Sequence, residues 1–177
     1  VVETLAYRSP LEGLLQPGTH GRAGTPGVQI RDVSDRSIVS FSGQRAAQAP
    51  GCVRYGDGWL VTSSPDQSLW VGDSYDVRIQ RAPDGTLTTD LSGSRAILKL
   101  EGAAWREVIS ALVPIDVHPE IFPNGAAAAS VAGYMPVVLW RAAGLEGVEI
   151  ATYRSFAGSL WHMVERAAEP FGFHITE

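Results

Sequence analysis

The pattern of apolar and polar positions is clearer in the second half of this chain than in the first. In the second half, Trp105, Val108, Ile109 and Leu112 fall at i, i+3, i+4 and i+7. That spacing predicts an amphipathic helix over AAWREVISALV, ended by Pro114. SRAILKLEG (94–102) before it reads as a strand around Ile97 and Leu98. AAAASVAG and MPVVLWRAAG read as two strands joined through Gly133 and Tyr134, and VEIATYR as a third. A second helix is predicted in RSFAGSLWHMVERAAEPFG, with Ser155 as N-cap and Phe156, Leu160, Met163, Val164 and Ala167 on its apolar face. Pro170 and Gly172 stop it.

The first half is more broken. VQIRDVSDRSIVSFSG (28–43) reads as a hairpin turning at Ser34-Asp35. GWLVTSS is a strand, GDGW and SPDQ are turns, SLWVG is a short element and YDVRIQ a strand. APDG is a further turn, with Pro second and Gly fourth. Residues 1–27 are rich in turn formers and predict an extended N-terminal arm whose Leu11, Leu14 and Leu15 dock on something. Residues 28–177 then form a single α+β domain. Strands interrupted by two helices imply a mainly antiparallel sheet with both helices packed on one face.

A faint echo runs through the chain. RDVSDRSIVSFSG and TDLSGSRAILKLEG each place an acid-aliphatic-Ser turn before a strand ending in Gly. From the residues alone, two turns of similar chemistry are the simpler reading.

Composition narrows the function classes. With 177 residues and 45% hydrophobic content, the chain can bury a core without staples. A net charge of −5 and a single Lys, Lys99, exclude the basic footprint of nucleic-acid binding. One cysteine, Cys52, precludes an intrachain disulfide and suits a cytoplasmic compartment. The opening VVETLAYRSPLEG lacks a signal-peptide pattern. The longest apolar run, AAAASVAGYMPVVLW, is broken by Gly133 and Pro136 and falls short of the roughly 20 residues a spanning helix needs.

The most suggestive chemistry is Asp116-x-His118-x-Glu120, which on a strand would put an acid, an imidazole and a second acid on one face. Pro119 spoils a strand, and no second histidine or cysteine lies nearby, since His20, His162 and His174 sit elsewhere. A turn is the better reading, with Asp116 capping backbone amides and His118 bonding across the loop. LSGSRA lacks the lysine and following helix of a phosphate loop. Cys52 has no histidine near it in sequence and reads as a small buried or turn thiol. The tryptophans read as core aromatics rather than a cofactor platform. No self-contained catalytic set emerges, which favours a binding module or an accessory subunit.

Several stretches carry a family resemblance: YRSPLEG, SPDQSLWV, TTDLSGSRAILKLEG, PIDVHPEIFPNG, GYMPVVLWR and RSFAGSLWHMVERAAEPFG. In this order they resemble the gamma subunit of heterotetrameric sarcosine oxidase, a family related to the folate-binding domains of aminomethyltransferases. The resemblance implies an aminomethyltransferase folate-binding-domain-like fold. It also implies a small accessory subunit, without catalytic residues, in a complex that oxidatively demethylates N-methyl amino acids. FAD, FMN, NAD and tetrahydrofolate would then be held by the larger partner subunits and none by this chain. It marks Asp90, Ser92, Asp116, His118, Arg154 and Ser155 as structural or partner-interface candidates. A stand-alone tetrahydrofolate-binding or one-carbon-transfer protein is the alternative, and a homo-oligomer of the isolated chain a further one.

Overall fold

A computed structural model describes residues 7–22, 24–42, 50–65, 67–73 and 87–176. Its strands are β1 (Gly18–His20), β2 (Val28–Asp32), β3 (Ile38–Ser42), β4 (Gly51–Tyr55), β5 (Gly58–Ser64), β6 (Gln67–Gly72), β7 (Leu87–Asp90), β8 (Arg95–Glu101), β9 (Ala127–Ala132), β10 (Met135–Trp140), β11 (Gly147–Tyr153) and β12 (Phe173–Thr176). The two helices are α1 (Trp105–Leu112) and α2 (Ala157–Ala168). The expected YDVRIQ strand and APDG turn lie outside the described residues.

The strands form two sheets rather than one. A seven-stranded sheet runs β1-β12-β2-β8-β11-β10-β9, and a five-stranded sheet runs β4-β5-β6-β3-β7. All pairs are antiparallel except β12 with β2. The helices cover one face of the larger sheet, where Val108, Ile109, Leu160 and Val164 pack with Leu98 and Leu139. The other face meets the smaller sheet through Ile97, Trp140, Ile38, Val61 and Val71. Three layers result, and β8 is buried on both sides: Leu98 and Leu100 point one way and Ile97 the other. Period-2 alternation fixes those directions.

Local chemistry explains the elements. In α1 the four apolar positions are the four buried ones, and the chain is extended at Val113 before Pro114. Gly133 sits at φ 59° in the two-residue β9–β10 turn, a conformation few other residues adopt readily. Gly102 follows β8 at φ 107°, and a Cβ there would lie 2.5 Å from the Gly27 carbonyl oxygen.

Several expectations need correction. VQIRD and IVSFS do not form a hairpin: β2 belongs to the larger sheet and β3 to the smaller. The apolar content at both ends of that stretch is real, but the turn passes the chain between layers. Ser155 is not an N-cap. The chain enters α2 through a 3₁₀ turn at Arg154–Phe156, which places Ser155 inside the first turn and makes Phe156 the cap residue. The buried face of α2 is Ala157, Leu160, Trp161, Val164 and Ala168, rotated from the expected stripe. Leu160 and Val164 are common to both. Within residues 1–27, Leu11 is buried in this chain's own core and β1 pairs with β12. A three-residue strand between Pro17 and Gly21 is too short to show periodicity.

The echo is an internal repeat. Strands β3 to β6 pair in the order β4-β5-β6-β3, and β8 to β11 in the equivalent order β9-β10-β11-β8. In addition β7 lies beside β3, as β2 lies beside β8. Each acid-aliphatic-Ser segment thus crosses from one sheet to the other, and the two crossings lie against each other.

Candidate functional site

At the crossings, each turn bonds to the strand that follows the other. Asp32 accepts the Ser34 N–H at 2.9 Å and the Ser34 hydroxyl at 2.5 Å. The Ser34 Oγ in turn accepts the Ile97 N–H at 2.9 Å, and the Val33 N–H donates to the Ile97 carbonyl at 3.0 Å. The second turn repeats this. Asp90 accepts the Ser92 N–H at 2.8 Å, Ser92 Oγ accepts the Ile38 N–H at 3.0 Å, and the Leu91 N–H donates to the Ile38 carbonyl at 2.8 Å. An Asx turn presents a hydroxyl to the first free amide of a foreign strand, and that amide cannot stay unpaired in a core.

The N-terminal YRS segment and Arg154 close over this crossing. The Tyr7 hydroxyl donates to the Ser34 carbonyl at 2.8 Å, and the Ser9 hydroxyl donates to Asp32. The Arg154 guanidinium donates to the Gly93 carbonyl at 3.2 Å and to the Arg8 carbonyl at 2.8 Å. Its own N–H bonds the Ser94 carbonyl at 2.8 Å. Three of the six sequence candidates, Asp90, Ser92 and Arg154, therefore meet here. Ser155 is exposed beside them. Asp32, Ser34, Tyr7 and Ser9 were not singled out by the sequence reading. The signal for Asp32 and Ser34 is the echo itself, and Tyr7 and Ser9 lie in the YRSPLEG stretch.

Asp116 and His118 lie apart, in the loop from α1 to β9. Asp116 accepts the His118 N–H at 2.8 Å, the Asx turn expected for it. His118 is exposed, and its Nδ1 accepts the Glu120 N–H at a long 3.4 Å. The loop is held by its buried Val117 and Phe122 and by two cations. Arg106 donates to the Val117 carbonyl, and Arg141 donates to the Phe122 carbonyl at 3.1 Å and to the Gly147 carbonyl at 3.0 Å. Both guanidinium groups lie over the Trp105 ring, at 4.2 and 5.1 Å from its centroid. Burial, and then the neighbouring Arg106 charge, pull the Arg141 pKa down. Among the described residues no group of three His, Cys, Asp or Glu side chains is placed to hold a metal.

Between the sheets, Arg36 and the buried Glu149 form a two-pronged ion pair at 2.9 and 3.0 Å. Cys52 is buried in β4, 2% exposed. Burial first, and Glu149 second, push its thiol up to about 12, so it is neutral at physiological pH and unsuited to nucleophilic attack. His162, on the solvent side of α2, is 3.9 Å from Glu165. No helix among the described residues is long and apolar enough to cross a membrane.

The crossing's carboxylates and hydroxyls are engaged with main-chain groups and with one another, so its chemistry is that of a structural joint. Joint and layers together define an α+β protein with two helices on one face of the larger sheet and a second sheet on the other. In fold it is similar to aminomethyltransferase T of the glycine cleavage system from Bartonella henselae, with a TM-score of 0.60 and 12% identity over 85% of this chain and 48% of that one. It is similar over more of its length to a chain of heterotetrameric sarcosine oxidase from Corynebacterium sp. U-96, with a TM-score of 0.74 and 22% identity over 93% of this chain and 95% of that one. The chain belongs to the sarcosine oxidase gamma subunit family, whose model matches residues 56–169. Two relatives named sarcosine oxidase subunit gamma agree. That from Arthrobacter sp. is 40% identical over 52 residues, and that from Corynebacterium sp. (strain U-96) is 34% identical over 82. The matched stretches are 29% and 46% of this chain, and 26% and 40% of those relatives' lengths.

Proposed function

We propose that this chain is the small gamma-type subunit of a cytoplasmic, multi-subunit, sarcosine oxidase-like enzyme that oxidatively demethylates N-methyl amino acids. The larger subunits hold FAD, FMN, NAD and tetrahydrofolate and perform the chemistry, and this chain contributes structure and contact surface rather than a catalytic group. The observation that carries the reading is the family match over residues 56–169. It is supported by the main-chain engagement of Asp32, Ser34 and Ser92, where a catalytic centre would leave a reactive group free. The neutral Cys52 thiol points the same way. The same family match favours a subunit over a stand-alone tetrahydrofolate-binding protein. Affinity purification of the chain from its native host tests the proposal. Larger flavin-containing polypeptides should co-elute with it, and a chain that elutes alone would overturn it.

A further inference from the structure

Among the described residues, strand β9 forms one edge of the larger sheet, pairing with β10 alone. The two-residue turn at Gly133-Tyr134 makes Ala132 and Met135 the first hydrogen-bonded pair, and the pairs alternate from there. Ala132, Ser130 and Ala128 therefore direct their N–H and C=O groups to β10. Val131 and Ala129 direct theirs outward, away from the sheet, and Ala127, next in that row, is buried with Cys52 and Val61 of the smaller sheet. Ala129 and Val131 are exposed, Val131 to 43%. Among the described residues no hydrogen bond reaches their outward groups.

Exposed edges are normally blunted by charge, proline, a bulge or brevity. The other edges follow that rule. β1 has three residues, β4 carries Arg54 bridged to Asp73, and β7 has four residues ending on Asp90. β9, with the sequence AAASVA, has six residues, no charge, no proline and an unbroken register. Beside it lies an apolar shelf. Val131 pairs across to the exposed Pro136, and one step further along that row stands Tyr153, 46% exposed with Arg95 stacked 4.1 Å over its ring. Tyr134, at the hairpin tip, is fully exposed.

We propose that the β9 edge is where an extended, largely uncharged segment of a larger subunit adds as a further strand, its apolar side chains seated on the Val131–Pro136–Tyr153 shelf. The occupant follows from what the edge offers. A row of outward amides and carbonyls at strand spacing is matched by another main chain, and small uncharged side chains admit it closely. This rests on the accessory-subunit reading.

The test is co-expression of the full chain with the larger subunits, comparing parent, Ala129→Pro, Val131→Lys and the exposed control Leu87→Lys on β7. Proline at Ala129 removes only an outward N–H, so β9 keeps its pairing to β10. Recovery of the chain in the complex should fall about tenfold or more for the two β9 variants and not for the control, with melting temperatures near the parent's. Amide exchange at Ala129 and Val131 should slow on assembly of the parent complex. Full incorporation of both variants, or unchanged exchange at those amides, overturns the proposal. So would self-association of the parent chain alone that the β9 variants abolish, since a second copy would then be the occupant. A parent chain that joins no complex at all defeats the accessory-subunit reading instead.

Discussion

Replacing Ser34 by Ala removes one oxygen from the centre of the crossing. Ser34 is 1% exposed, and its Oγ is the partner of the Ile97 N–H in a strand where Ile97 is 0% exposed. Without it that amide is left buried and unpaired, and Asp32 loses a short charge-assisted bond. An unsatisfied buried group costs about 1–3 kcal/mol, and the lost bond to a charged acceptor adds to it. A destabilisation of about 3 kcal/mol is expected. At roughly 2–4 °C per kcal/mol for a domain of this size, the melting temperature should drop by about 6–12 °C. Ser92→Ala removes the equivalent oxygen, but Ser92 is only half-buried and water can replace it for the Ile38 amide. That variant should lose about 1 kcal/mol. Urea unfolding of the parent, each single variant and the double variant measures both costs and their coupling. A Ser34→Ala loss below about 1 kcal/mol, or one smaller than that of Ser92→Ala, would refute the reasoning.

Other outcomes follow from the same contacts. Arg36→Ala should destabilise by about 3 kcal/mol because it strands the buried Glu149, and an Arg36→Met, Glu149→Leu double variant should recover most of that in thermal melts. His118→Ala should shift stability by no more than about 0.5 kcal/mol and Asp116→Ala by about 1, since the imidazole is exposed while the carboxylate caps an amide. The Cys52 thiol, raised in the fold from 9.0 to about 12, favours the folded state with the thiol neutral; that contribution is complete below pH 9 and is lost as pH rises toward 12. Disulfide-exchange labelling at pH 8 should accordingly be slow in the native chain and fast in urea. Titration of the isolated chain with tetrahydrofolate should give no saturable change in tryptophan fluorescence, and a saturable one would revive the stand-alone folate-binding reading.

Where burial was one-sided and periodic, the sequence was enough. Trp105, Val108, Ile109 and Leu112 place α1 residue by residue, and the Gly133-Tyr134 turn places the β9–β10 hairpin. Where a strand has few buried positions or is very short, periodicity carries no direction, which is why β4, with Cys52 as its one buried residue, and the four-residue β12 escaped. The rotated face of α2 has a similar cause. Leu160 and Val164 fit either stripe, and Phe156, in the 3₁₀ turn before the helix, draws the expected stripe toward Met163 and Ala167, while Ala157, Trp161 and Ala168 complete the buried one. The second sheet could not be read from local patterns. What marked it was the repeated acid-aliphatic-Ser turn, whose meaning depends on partners 63 and 54 residues away. Of the site candidates, Asp90, Ser92 and Arg154 converge because they border that joint. Asp116 and His118 shape their own loop.

Assembly with larger subunits is what the proposed role requires. A tagged copy expressed in the native host and run on size exclusion, with flavin absorbance followed alongside protein, tests it most directly. Elution of the chain within a large flavin-bearing complex, at one copy for each copy of the larger subunits, is the expected result. A flavin-free peak at the size of the chain alone would contradict it.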